Sequence, residues 1–221
     1  MSIAARQGRI REELRGQGLD ALVVTNLVNI RYLSGFVGSN GVLVVGPASV
    51  VLLTDSRYAT AARDQVTETD VVIAGRDLLD RLAEVVPRGR VGFEAEDVTV
   101  ARRDRLAGRL EGVDLVPTAG IVEGLRVAKE PGEIDLIRDA TRIADAALSD
   151  LIARGFAGRT EARVAWDLEG SMRDAGAEGA SFDIIVAGGA HGAMPHAVPR
   201  SVAVPPDALV VVDMGARVDG Y

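Results

Sequence analysis

The chain has 221 residues, 25 basic against 32 acidic side chains for a net charge of -7, two histidines and no cysteine. The lack of cysteine excludes disulfides, thiolate zinc sites and thiol nucleophiles. The acidic balance and the 4% aromatic content argue against a nucleic-acid partner, which needs clustered Lys/Arg and stacking rings.

Ile3, Ile10 and Leu14 share a helical face, and Gly16 and Gly18 follow as stop signals, so the chain is expected to open with a helix. Short β-branched runs at Ala21 to Val24, Val42 to Val45 and Val50 to Leu53, bounded by Gly, Asn, Pro or Asp, predict strands. Helical stretches follow near Arg57 to Arg63 and Asp77 to Val86, with strands at Val71 to Ala74 and Arg90 to Phe93. A helix over Ala101 to Leu110 then leads to a strand at Leu115 to Pro117. Helix and strand alternate, so residues 1–120 read as a small α/β layer domain.

The character changes between Gly120 and Pro131, and residues 121–221 read as a second domain. Ile134, Ile137, Ala140, Ile143, Ala147, Leu151 and Ile152 hold the 3.6 period of a long amphipathic helix, with Pro131 suited to its first turn. Thr160 is the expected N-cap of a helix carrying Val164, Leu168 and Met172 and ended by Gly176. Strands are expected at Phe182 to Val186 and Leu209 to Met214. Asp219-Gly220 is a strong hairpin-turn signal, because both central residues of a type I′ turn need positive φ. A returning strand should follow such a turn, which predicts that the chain is a fragment of a longer parent and that the strand ending at Met214 keeps an open edge.

The first ten residues carry no apolar signal-peptide core, and the longest aliphatic run, Ala208 to Val212, is far too short to span a bilayer. A cytoplasmic protein with no membrane partner is expected. Gly35, Gly38 and Gly41 precede a strand, not a helix, so they read as a turn and not as a phosphate loop. No serine sits in a G-x-S-x-G frame, and His191 and His196 lie in a loop split by Pro195, which excludes a serine-hydrolase elbow and a zincin helix. What remains is His196 in a glycine-rich loop, and Asp213 inside an aliphatic strand. A carboxylate there is costly to bury unless a cation, a metal or several N–H donors offset its desolvation.

The lead-in LRVAKEPGEIDLIRDA, the turn at Gly158, Thr160 and Glu161, SFDIIVAGG, the Pro195-His196 pair and DMGARVDGY together resemble the first half of the pita-bread metallopeptidases, the Xaa-Pro dipeptidase and aminopeptidase P group. NIRYLSGFVGSNG and LLTDSRYAT resemble the creatinase-type N-terminal domain of the same group. The implied fold is therefore α/β, a creatinase-type N-terminal α/β domain (1–120) followed by the first half of an α+β pita-bread domain (121–221).

By this resemblance Asp213 matches the first metal-ligand aspartate, and His196 matches the histidine that contacts substrate near the scissile bond. The implied reaction is hydrolysis of the bond between an N-terminal residue and proline, with two divalent metal ions (Mn, Co or Zn) activating water. The family uses two Asp, one His and two Glu as ligands, of which only Asp213 is present, so the 221-residue chain is expected to be inactive alone. His191 stands where relatives more often carry Asn or Glu and is assigned no role. The resemblance implies a Xaa-Pro peptide substrate and a homodimer. Two other readings keep the fold: a metal-free, creatinase-like amidino hydrolase, and a non-catalytic peptide- or protein-binding module.

Overall fold

The computed structural model describes residues 2–66 and 68–221. The chain divides into two compact units, Met1–Ala128 and Lys129–Tyr221.

The first unit begins with helix α1 (Ile3–Gly16), capped by the Ser2 side chain, and strand β1 (Ala21–Val24). Helix α2 (Leu27–Ser34) follows; the Asn26 side chain accepts the Val28 and Asn29 N–H groups, and Gly35 closes it in the left-handed region at φ 78°. Hydrophobic periodicity does not predict this helix. Next come β2 (Gly41–Val45), β3 (Val50–Asp55), a 3₁₀ turn at Ser56–Tyr58 leading into α3 (Ala59–Gln65), and β4 (Asp70–Ala74). The expected helix at Asp77 to Val86 is a 3₁₀ segment, Leu78–Glu84. The unit is completed by β5 (Gly89–Glu94), α4 (Val100–Arg109), β6 (Val113–Thr118) and α5 (Ile121–Val127).

The six strands form one sheet in the order β4-β3-β2-β1-β5-β6. Pairs β1–β2 and β2–β3 are antiparallel, and β3–β4, β1–β5 and β5–β6 are parallel. Both faces of the central strands are covered, which is why they read as unbroken apolar runs with no polar alternation. Leu22, Val24, Leu43, Val45 and Leu52 face a core built with Ile10, Leu14, Ile30, Leu33, Ile121 and Leu125. Ala21, Val23, Val42, Val44 and Leu53 face the opposite core with Leu79, Leu82, Phe93 and Leu106. The period-2 geometry of a strand thus splits one aliphatic stretch between two cores.

The second unit holds two helices, α6 (Pro131–Arg154) and α7 (Glu161–Asp174), followed by β7 (Gly179–Ala180), β8 (Ile185–Gly188), β9 (Val210–Asp213) and β10 (Ala216–Arg217). Pro131 starts α6 where its missing N–H costs nothing, and the Glu133 carboxylate accepts the Glu130 N–H at 2.8 Å. Ala140, Ile143, Ala147 and Leu151 of α6 pack with Val164, Leu168 and Met172 of α7 over Val186 of β8. β8 pairs antiparallel with β9, and β10 with β7. After β10, Asp219 (φ 47°) and Gly220 (φ 83°) form the expected two-residue turn, closed by reciprocal bonds between Val218 and Tyr221. The Tyr221 hydroxyl donates to the buried Glu133 carboxylate at 2.5 Å.

Candidate functional site

The candidate site is assembled where the N-terminus of α7, the end of β8 and the long loop 189–204 meet. Thr160 caps α7 as expected, its hydroxyl accepting the Arg163 N–H at 3.1 Å. The turn before the helix is stitched to the far end of the loop. Val204 N–H donates to Arg159 O at 2.8 Å, Glu161 N–H to Val202 O at 3.1 Å, and Ala162 N–H to Arg200 O at 3.0 Å.

At the centre lies the Glu161 carboxylate, 1% exposed. Its Oε1 accepts the Gly188 N–H and an Arg200 Nη2–H, each at 3.0 Å. Its Oε2 accepts the Arg200 backbone N–H and Nε–H, again at 3.0 Å. His191 Nδ1 is 3.0 Å from Oε1. The Arg200 guanidinium, above all, holds the Glu161 carboxyl far below the usual carboxylate range; burial opposes it, and the Gly188, Arg200 and His191 donors reinforce it. An ionised carboxylate only accepts, so Nδ1 of His191 carries the hydrogen in this bond. Sequence patterns do not reveal this centre. Glu161 is visible there only as part of a turn motif and His191 has no assigned role, because the partners stand 27 to 39 residues away along the chain.

The two residues singled out from sequence sit differently. His196 is exposed in the loop, with its backbone in the left-handed region at φ 55°. Asp213 ends β9 opposite Ile185, and it too is exposed. The expectation of a buried carboxylate at 213 is therefore corrected: β9 belongs to a two-stranded ribbon whose alternate residues, Val211 and Asp213, face outward. Among the described residues, no three His, Cys, Asp or Glu side chains are grouped so as to hold a metal ion. Asp213 is the right chemical type for a hard divalent cation, but one carboxylate does not fit a two-metal centre. Among the described residues, no helix is long and apolar enough to cross a membrane.

Residues 6–128 match the creatinase/prolidase N-terminal domain, and residues 135–221 match metallopeptidase family M24. The chain belongs to this creatinase/prolidase family, and its mixed α/β fold with a partial pita-bread domain is that of the N-terminal part of prolidases. Over its whole length it superposes on the Xaa-Pro dipeptidase from Bacillus anthracis with a TM-score of 0.93 at 31% identity, covering 62% of that chain. It is 34% identical over 207 residues to the uncharacterized peptidase YqhT of Bacillus subtilis, covering 92% of this chain and 59% of the relative. It is 26% identical to the Xaa-Pro dipeptidase of Pyrococcus furiosus, covering 92% of this chain and 58% of that protein. The chain thus spans under two thirds of the length of these relatives.

Proposed function

We propose that this chain is the N-terminal portion of a metal-dependent peptidase that cleaves Xaa-Pro bonds in dipeptides or short peptides. The observation that carries the reading is the ordered match of both domains, together with superposition of the whole of this chain on 62% of a Xaa-Pro dipeptidase. In this proposal Asp213 would be one of several ligands, the others lying outside this chain, that hold a pair of divalent ions, Mn, Co or Zn, and His196 would hydrogen-bond the peptide near the scissile bond. The metals supply Lewis-acid activation of water when the remaining ligands are present. The exposure of both side chains leaves them open to such partners. The 221-residue chain alone is proposed to be inactive.

The test is hydrolysis of a Xaa-Pro dipeptide with added Mn by the 221-residue chain and by the polypeptide continued through its downstream reading frame. Activity is expected only in the longer protein and is expected to vanish in Asp213→Ala. Unchanged turnover of that variant refutes the assignment, and metal-dependent cleavage by the 221-residue chain refutes the claim of inactivity. The proposal extends to a cytoplasmic homodimer. Trp166, 72% exposed, and Leu209, 90% exposed, offer apolar surface that supports self-association. Light scattering that returns a stable monomer contradicts that part.

A further inference from the structure

We infer that Glu161 is a positioning residue that holds both ends of the 189–199 loop and thereby sets where His196 is presented. The functional half of this inference rests on the reading of His196 as a substrate contact; the positional half does not.

The loop opens with a 3₁₀ turn, Gly189–Ala193, and beyond it has little internal structure. It contains Gly189 and Gly192, and apart from Ala197 and the His191 ring its side chains are largely exposed, so it has little apolar contact to offset the entropy of ordering its backbone. Yet His196 is kept in a left-handed conformation, unfavourable for a residue with a Cβ and maintained only where the surroundings over-determine it. Backbone bonds hold each flank separately, Gly189 N–H to Leu209 O at 2.9 Å and Ala162 N–H to Arg200 O at 3.0 Å, but one carboxylate joins the two flanks to each other and to the loop interior. Glu161 takes the N–H of Gly188 just before the loop, the Nδ1 of His191 within it, and the N–H, Nε–H and Nη2–H of Arg200 just after it, all at 3.0 Å.

Helix capping does not explain this side chain. Thr160 already fills the N-cap, and the Glu161 oxygens face loop donors instead of the first turn of their own helix. Arg200 completes the clamp with the fork of a guanidinium, a geometry that an ammonium group cannot reproduce. Both loop ends, Gly188 and Arg200, therefore converge on one rigid point at the start of α7, which is itself fixed by Val164, Leu168 and Met172 in the core.

The protein has only two histidines, so the experiment can read His196 directly. Imidazole NMR spectra of the 221-residue chain, assigned with His191→Gln, are compared with those of Glu161→Gln and Arg200→Ala, alongside amide hydrogen exchange. Glu161→Gln keeps the size but removes the charge and one acceptor oxygen; Arg200→Ala removes a side chain that is 47% exposed and leaves the core intact. In both variants the His196 resonance is expected to move to its free-peptide position, and the backbone amides of positions 188 and 200 to exchange at least about tenfold faster, as loss of charge-assisted bonds dictates. Protection in α6 and α7 stays as in the parent, and Arg200→Lys restores the His196 position only in part. An unmoved His196 resonance in both variants overturns the inference. Loss of protection throughout α6 and α7 in both variants also overturns it, because Glu161 would then hold the whole unit and not the loop. No metal, peptide or turnover enters this measurement, so its failure is separate from failure of the peptidase reading.

Discussion

Replacing Glu94 with alanine tests how the first unit fastens its helices to the sheet. Glu94 ends β5 and is 9% exposed. Its Oε2 accepts the Thr25 N–H at 2.6 Å and the Asn26 N–H at 2.8 Å, and its Oε1 accepts Asn29 Nδ2–H at 2.7 Å. These donors lie at the start of α2 and inside it. Asn29 also donates to Glu123 of α5 and accepts from Arg126, so one carboxylate ties α2 and α5 to a strand end. Bonds to a charged acceptor contribute about 1.5–3 kcal/mol each, and Thr25 and Asn29 are too buried to recover theirs from water.

Part of that gain is offset. Burial foremost, and Glu123 nearby, push the Glu94 carboxyl up from its ordinary value against the pull of the three donors. We expect a net loss of about 3 kcal/mol, or a fall in Tm of roughly 10 °C for a unit of this size. The sign of the pH dependence follows from the raised folded-state pKa. The proton-linked contribution of Glu94 is fully present below the unfolded value, about 4.3, and is lost as pH rises through the folded value. The difference between parent and Glu94→Ala in urea titrations followed by circular dichroism should therefore be larger at pH 4 than at pH 7. A difference below about 1 kcal/mol, or one that grows toward neutral pH, refutes the reasoning.

Leu168→Ala removes a side chain that is 1% exposed from the core between α6 and α7, and should cost about 3–5 kcal/mol in a urea titration. Gly38→Ala would place its Cβ 2.1 Å from Cζ of the buried Phe36 ring, which also meets Tyr58 edge-on at 5.8 Å. The ring must shift, so a loss of about 1–3 kcal/mol is expected, with a changed Tyr58 environment in near-ultraviolet circular dichroism. Glu161 has the opposite pH sign to Glu94. Its folded-state pKa is depressed, so its contribution is present above the unfolded value and is lost as pH falls below about 4.3 toward the folded one. Protection factors of the Gly188 and Arg200 amides should drop on acidification in the parent, and that drop should be missing in Glu161→Gln.

Local chemistry alone was enough for much of the architecture. The aliphatic runs of β1, β2 and β3, the 3.6-residue stripe of α6, the Thr160 cap and the Asp219-Gly220 turn are each decided by residues adjacent in sequence, through periodicity, side-chain capping or permitted φ. The eight-residue helix α2 escaped because it is too short to display a stripe and buries polar Asn29 and Ser34 beside Ile30 and Leu33. Asn26 before it and the left-handed Gly35 after it were the signals available.

Asp213 shows the complementary limit. Its aliphatic neighbours are a property of sequence, but whether a strand residue is buried depends on what covers that face, and in a two-stranded ribbon the outward positions stay wet. Membership of the family was legible because its motifs recur in order along the chain. The Glu161 clamp was not, because hydrogen bonding acts over 3 Å in space among residues 161, 188, 191 and 200, and only the folding of α7 against β8 and the returning loop brings their donors to one carboxylate.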